Sequence, residues 1–147
     1  MTPDLSTTWL GLPLRTPLVV GAAAPLSEDP EQLLALERAG AAAVVMHSLF
    51  EEDIEAEQLE LQRCAMAGAE SYGEALSYWP ELSLQHGGSD LYLRHLEAAR
   101  RLLSIPVIAS LNGTTPGRWV EMARRIEAAG ASALELNIYT LPTDPEL

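Results

Sequence analysis

The segment Leu36-Glu-Arg-Ala-Gly-Ala-Ala-Ala-Val-Val-Met-His47 aligns without a gap on Ile126-Glu-Ala-Ala-Gly-Ala-Ser-Ala-Leu-Glu-Leu-Asn137. Each copy reads as a helix end, an Ala-Gly stop, a tight turn and an apolar strand that closes on a polar residue. A helix that twice delivers the chain into a buried strand predicts βα repetition, hence a parallel sheet with helical crossovers. The remaining sequence keeps that alternation. Leu18–Ala22, Ala43–Met46, Ile105–Ser110 and Ala133–Asn137 read as strands. Asp29-Pro30 and Thr115-Pro116 each pair a capping residue with a proline tolerated in the first helical turn, and the helices they start run to Gly40 and Gly130. Asp90–Leu103 is a third helical stretch. Thr7–Leu14 alternates around Gly11 and predicts a small hairpin ahead of the first core strand. Residues 70–89 read as an irregular excursion and residues 138–147 as a loop.

Composition narrows the function classes. A chain of 147 residues with 48% apolar content can bury a core as one domain. Its formal net charge of −12 argues against nucleic acid or an anionic membrane surface as partner. All nine basic residues are Arg, so chemistry that needs a lysine amine is closed to it. Apolar stretches such as Ala39–Met46 fall short of the ~20 residues that span a bilayer. Met1-Thr-Pro-Asp4 carries no secretory signal. One cysteine, Cys64, excludes an internal disulfide framework and fits a cytoplasmic setting. His86 and His95 have no metal-ligand spacing with each other or with Cys64, so no metal site is expected. The glycines form neither a dinucleotide fingerprint nor a phosphate loop with its lysine. The acidic run from Glu51 to Glu60 reads as a solvated helix face.

The strand ends carry the candidate chemistry. They are Gly21-Ala22-Ala23-Ala24, His47-Ser48, Asn112-Gly113 and Asn137. In parallel α/β folds ligands bind at the carboxyl ends of strands. Small residues there let a ring approach the backbone, while amides and imidazole hydrogen-bond its edge, so the set suits a flat polar heterocycle. Each has a structural reading as well. Ala22 to Ala24 could serve only a tight turn, His47 could be a satisfied structural histidine, and Asn112-Gly113 is an ordinary turn dipeptide. Asn137 is the hardest to dismiss, because an amide ending a buried strand needs a partner.

In order and spacing these segments resemble the flavin-dependent dihydroorotate dehydrogenase family, cytoplasmic class. The resemblance runs through Leu5–Pro17, Pro17-Leu-Val-Val-Gly-Ala-Ala-Ala24, Ala39–Ser48, Pro106–Gly113 and Ala129–Ile138. It implies a (β/α)₈ barrel binding FMN at its carboxyl face, and an oxidoreductase of pyrimidine biosynthesis acting on a CH–CH bond of a small-molecule substrate. It implies that Ala22, Ala23 and Ser48 lie near the flavin and that Asn137 serves flavin and substrate. Asn112 falls in a strand end near the flavin. The family's lysine at the second strand end is His47 here. Its Asn-x-Ser-Cys-Pro-Asn motif reads Asn137-Ile-Tyr-Thr-Leu-Pro-Thr143, which puts Thr140 at the place of the catalytic base. A hydroxyl is a far weaker base than a thiol.

A closed eight-unit barrel takes roughly 250 residues. Four core strands after a leading hairpin (residues 1–16) therefore predict the N-terminal half of a (β/α)₈ barrel over 17–147. Such a half is expected to bind FMN weakly, to catalyse little alone, and to cover its open side by self-association. A second reading is a non-catalytic half-barrel kept as an interaction module. A third, an unrelated phosphate-binding barrel synthase, is disfavoured by the hairpin and by Asn137.

Overall fold

A computed structural model of the chain describes residues 3–54, 56, 59, 63, 88–113 and 118–139. Strands β1 (Thr7–Trp9) and β2 (Leu12–Leu14) pair antiparallel as a hairpin. It turns through Leu10 and Gly11, both in the left-handed region. A four-stranded parallel sheet follows, in the order β3 (Val19–Val20), β4 (Ala43–Phe50), β5 (Val107–Asn112), β6 (Ala133–Asn137). Between β3 and β4 lie α1 (Ala24–Ser27) and α2 (Pro30–Arg38). Helix α3 (Gly88–Leu102) precedes β5, and α4 (Arg118–Ala128) joins β5 to β6. The fold is thus α/β, with the strand order that the first half of a (β/α)₈ barrel has. No described helix is long and apolar enough to cross a membrane.

The repeated segment builds the same structure twice. Gly40 (φ 115°) and Gly130 (φ 91°) take the left-handed conformation that ends each helix. Ala41 N–H donates to Leu36 O at 3.1 Å, and Ala131 N–H to Ile126 O at 3.3 Å. Gly40 N–H donates to Glu37 O, and Gly130 N–H to Glu127 O. Two residues after each glycine the chain joins the preceding strand, through Ala42 N–H to Leu18 O and Ser132 N–H to Val107 O, both 2.8 Å. The first copy is further tied by Arg15, whose guanidinium donates to Glu37 O and Ala41 O.

The sheet has two unlike faces. Val44, Met46, Leu49, Val107, Ala109 and Leu111 pack with the helices, against Leu33, Leu96, Met122 and Ile126. Ala43, Val45 and Ile108 point the other way and meet Leu12 and Leu14 of the hairpin, with Val19 and Ala133. The hairpin therefore seals the amino-terminal part of this inner face. Because strand side chains alternate, Ser110 and Asn112 share the face of Ile108, and Glu135 and Asn137 that of Ala133. The inner face is apolar where it starts and polar where it ends.

Strand bounds differ from expectation in one consequential place. β4 runs to Phe50 and contains a bulge: Val45 pairs with Ile108, but Ser48 pairs with Ser110. Three steps on β4 match two on β5, so one residue is extra. Pro106 O accepts from Val44 N–H, which fixes the even-numbered groups of β5 as those facing β4. At Ser110, which pairs with Ser48 just past the bulge, a side chain also reaches those groups. The Tyr92 hydroxyl of α3 accepts from Ser110 N–H at 2.9 Å and donates to Ser110 O at 3.2 Å. Burial pushes the Tyr92 phenol up to about 12, so it keeps its proton at neutral pH. Tyr92→Phe is expected to remove both bonds to the strand and destabilise the fold by about 1–3 kcal/mol, read as a lowered urea midpoint. An unchanged midpoint would remove the hydroxyl from this role.

Candidate functional site

At the carboxyl ends of β4, β5 and β6 four side chains form one hydrogen-bonded array on the inner face. Ser48 Oγ and Ser110 Oγ are 2.8 Å apart. Ser110 Oγ donates to Glu135 Oε1 at 2.7 Å. Asn137 Nδ2 donates to Ser110 Oγ at 3.2 Å and to Glu135 Oε1 at 3.3 Å. Ser110 is fully buried and lies at the centre, while Ser48, Glu135 and Asn137 are half-buried at its edge. The Cα register places Ser110 opposite both Ser48 and Glu135, and Asn112 opposite Asn137.

Asn112 differs from its neighbours. It is 1% exposed, and neither Nδ2 nor Oδ1 has a hydrogen-bond partner among the described residues. An orphaned buried amide costs about 1–3 kcal/mol, so proteins keep one where something else is to satisfy it. It is no turn residue, since it ends β5 in extended pairing. The glycine beside it is closely packed: a Cβ on Gly113 would sit 3.1 Å from Trp119 Cβ and 3.3 Å from Glu51 Oε2.

His47 belongs to a second cluster. The bulge turns it away from the Ser48 array and towards the helices. Its ring meets that of Tyr92 edge to face, centroids 5.1 Å apart. Its backbone N–H donates to Ser27 Oγ at 2.8 Å, and Nδ1 lies 3.1 Å from the same oxygen. Ser27 Oγ also reaches Ala23 O at 3.1 Å, so Ala23 and His47 are joined through Ser27. Ala22, the residue before, is exposed. The structure thus brings Ser48, Asn112 and Asn137 to one face and places Ala23 and His47 in a cluster beside it. Thr140 lies outside the described residues. Sequence reading passed over Ser110, Glu135 and Ser27. A signal existed for the first two: each stands two residues before a strand-end asparagine and so shares its face. For Ser27 there was none, since the four-residue α1 that carries it has no pattern of its own.

No family profile matches the chain. A stretch of 35 residues, 24% of the chain, is 66% identical to the protein named "Putative dihydroorotate dehydrogenase A (fumarate)" of Aeropyrum pernix. Over that stretch the chain is dihydroorotate dehydrogenase-like. The match spans 11% of the relative's length.

The histidine cluster has a pH signature. Burial holds the His47 imidazole below its ordinary value of 6.5, opposed by nearby Glu28 and reinforced by His95. As pH falls through the ordinary value, the unfolded chain takes up this proton before the folded one does. The contribution is therefore complete above about 6.5 and declines below it. Urea unfolding between about pH 7.5 and 5.5 should show stability falling with acid, and His47→Gln should flatten part of that slope. A slope unchanged by the substitution would clear His47.

Proposed function

We propose that the carboxyl edge of the sheet is the flavin face of an FMN-dependent oxidoreductase that acts on a CH–CH bond. The substrate class is a dihydropyrimidine ring, dihydroorotate being the compound in the relative's name. The observation that carries the reading is the buried, unpartnered amide of Asn112 beside the Ser48–Asn137 array. Such an amide offers one donor and one acceptor side by side, which the N–H and C=O edge of a flat heterocycle can meet. Ala22 and Ala23 add no bulk where a ring would approach the end of β3. The short match to a dihydroorotate dehydrogenase supports the same choice of cofactor.

The residues divide the work. Asn112 and Asn137 orient a planar ligand through their amides, and Ser48 adds a hydroxyl at its edge. His47, held by Ser27, stands behind this face and supplies a neutral ring where the family has a charged lysine. When bound, FMN supplies a two-electron acceptor for hydride leaving the substrate. By resemblance Thr140 Oγ1 takes the place of the base that removes the neighbouring proton, a task for which an unactivated hydroxyl is poorly suited. A second reading, a non-catalytic binding module, is favoured by the chain's lack of lysine and by that threonine. The two readings part on whether protein with bound flavin turns over.

The test is addition of FMN to the purified chain, followed by the visible absorbance band after gel filtration and by fluorescence titration. Binding is expected, and Asn112→Leu should weaken it roughly tenfold or more while raising the ligand-free unfolding midpoint. Folded protein that shows no saturable change in the fluorescence titration would overturn the reading.

A further inference from the structure

The array at the strand ends has a direction. Ser110 has one hydroxyl proton, and it goes to Glu135 Oε1, since a carboxylate can only accept. Ser110 Oγ is left with two lone pairs, and two neighbours are within reach of them. Asn137 Nδ2 donates to one. Ser48 must therefore be the donor in its 2.8 Å contact with Ser110, because Ser110 has no proton left to give. Asn137 is fixed by the same logic. Both of its near partners, Ser110 Oγ and Glu135 Oε1, require a donor, and its two Nδ2 protons serve one each. Its Oδ1 makes no bond within the array, and rotating the amide would set that oxygen against a carboxylate.

We propose that Glu135 is a positioning residue that sets the hydrogen-bond polarity of this face, so that Ser48 and Asn137 offer a ligand only acceptor lone pairs. Neither residue has a donor to spare. The edge of a ligand that lies against them must bring N–H groups, as the lactam or imide edge of a flavin or a pyrimidine does. Asn112, one strand pair away, keeps both a donor and an acceptor, so discrimination falls on the Ser48–Asn137 side. Glu135, half-buried at the edge of the array, acts through Ser110 and Asn137. The choice of ligand class rests on the flavin reading above, but the polarity itself does not.

Nuclear magnetic resonance of the ¹⁵N-labelled full chain tests the polarity without any ligand. Both Asn137 side-chain amide protons are expected to exchange with water roughly tenfold or more slowly than those of an exposed asparagine. Glu135→Gln, which keeps an acceptor oxygen, should preserve this protection, and Glu135→Leu should release the proton that Glu135 accepts. Should the leucine variant fail to fold, Ser110→Ala takes its place and should release one of the two protons. Freely exchanging Asn137 amide protons in the wild type, or equal protection with Gln and Leu at 135, would overturn the proposal.

A second arm compares FMN with its N3-methyl analogue, which lacks the ring N–H. The wild type should prefer FMN by roughly tenfold, and Glu135→Leu should shrink that preference to about threefold or less. Equal affinity of the wild type for both would also sink the proposal. Protected amide protons without any flavin binding would uphold the polarity and discard the flavin reading instead.

Discussion

The bulge in β4, beside the two bonds that join the Tyr92 hydroxyl to the backbone of Ser110, decides which residues meet at the end of the sheet. A bulge in β4 shifts register by one, and one residue of register moves every later side chain to the opposite face. Without it, His47 would fall on the inner face with Val45, and Ser48 would face the helices. With it, Ser48 joins Ser110, Glu135 and Asn137, and His47 packs on Tyr92 and Ser27. Beside the extra residue a buried phenol bonds the strand backbone, accepting from Ser110 N–H and donating to Ser110 O. Tyr92 comes from α3, so that helix takes part in aiming the strand ends.

Much of the fold was legible in the sequence because the same local solution is written twice. The Ala-Gly stops at 39–40 and 129–130 announce left-handed helix ends, and the apolar runs after them can only be buried strands. β6 falls on Ala133–Asn137 as read. The readings that shifted did so where tertiary structure overrides pattern. The strand read at Leu18–Ala22 is ladder-paired only over Val19–Val20, because the chain then departs into α1. The strand read at Ile105–Ser110 lies two residues later, since its pairing with β6 carries it on to Asn112. β4 extends past Met46 because its later residues pair with β5 beyond the bulge.

The site was legible in part, for a reason tied to the period of a strand. Strand-end position picks out Ser48, Asn112 and Asn137 as polar residues in a place where ligands bind. It says nothing of which face each takes, and a bulge cannot be read from the apolar alternation of Val44-Val-Met46. Glu135 is the instructive omission. A carboxylate in the middle of Ala-Leu-Glu-Leu-Asn cannot remain unpartnered within a sheet, so its presence alone demands donors on the neighbouring strand. Ser110, at its register position, is that donor.

The inner face also explains why polarity is confined to one end. Its apolar half is closed by Leu12 and Leu14 of the hairpin, which removes Ala43, Val45 and Ile108 from water. Burial there supplies the hydrophobic gain that an open polar face cannot. The other half carries hydroxyls, amides and a carboxylate that are mostly satisfied by one another, at modest net cost. Asn112 is the exception, with two buried polar atoms and no described partner. A sheet selected for stability alone would place leucine there, because an apolar residue of that size would fill the same space without desolvating an amide. An unfavourable group at the point where the strand ends converge is what a binding site leaves behind when its ligand supplies the missing bonds.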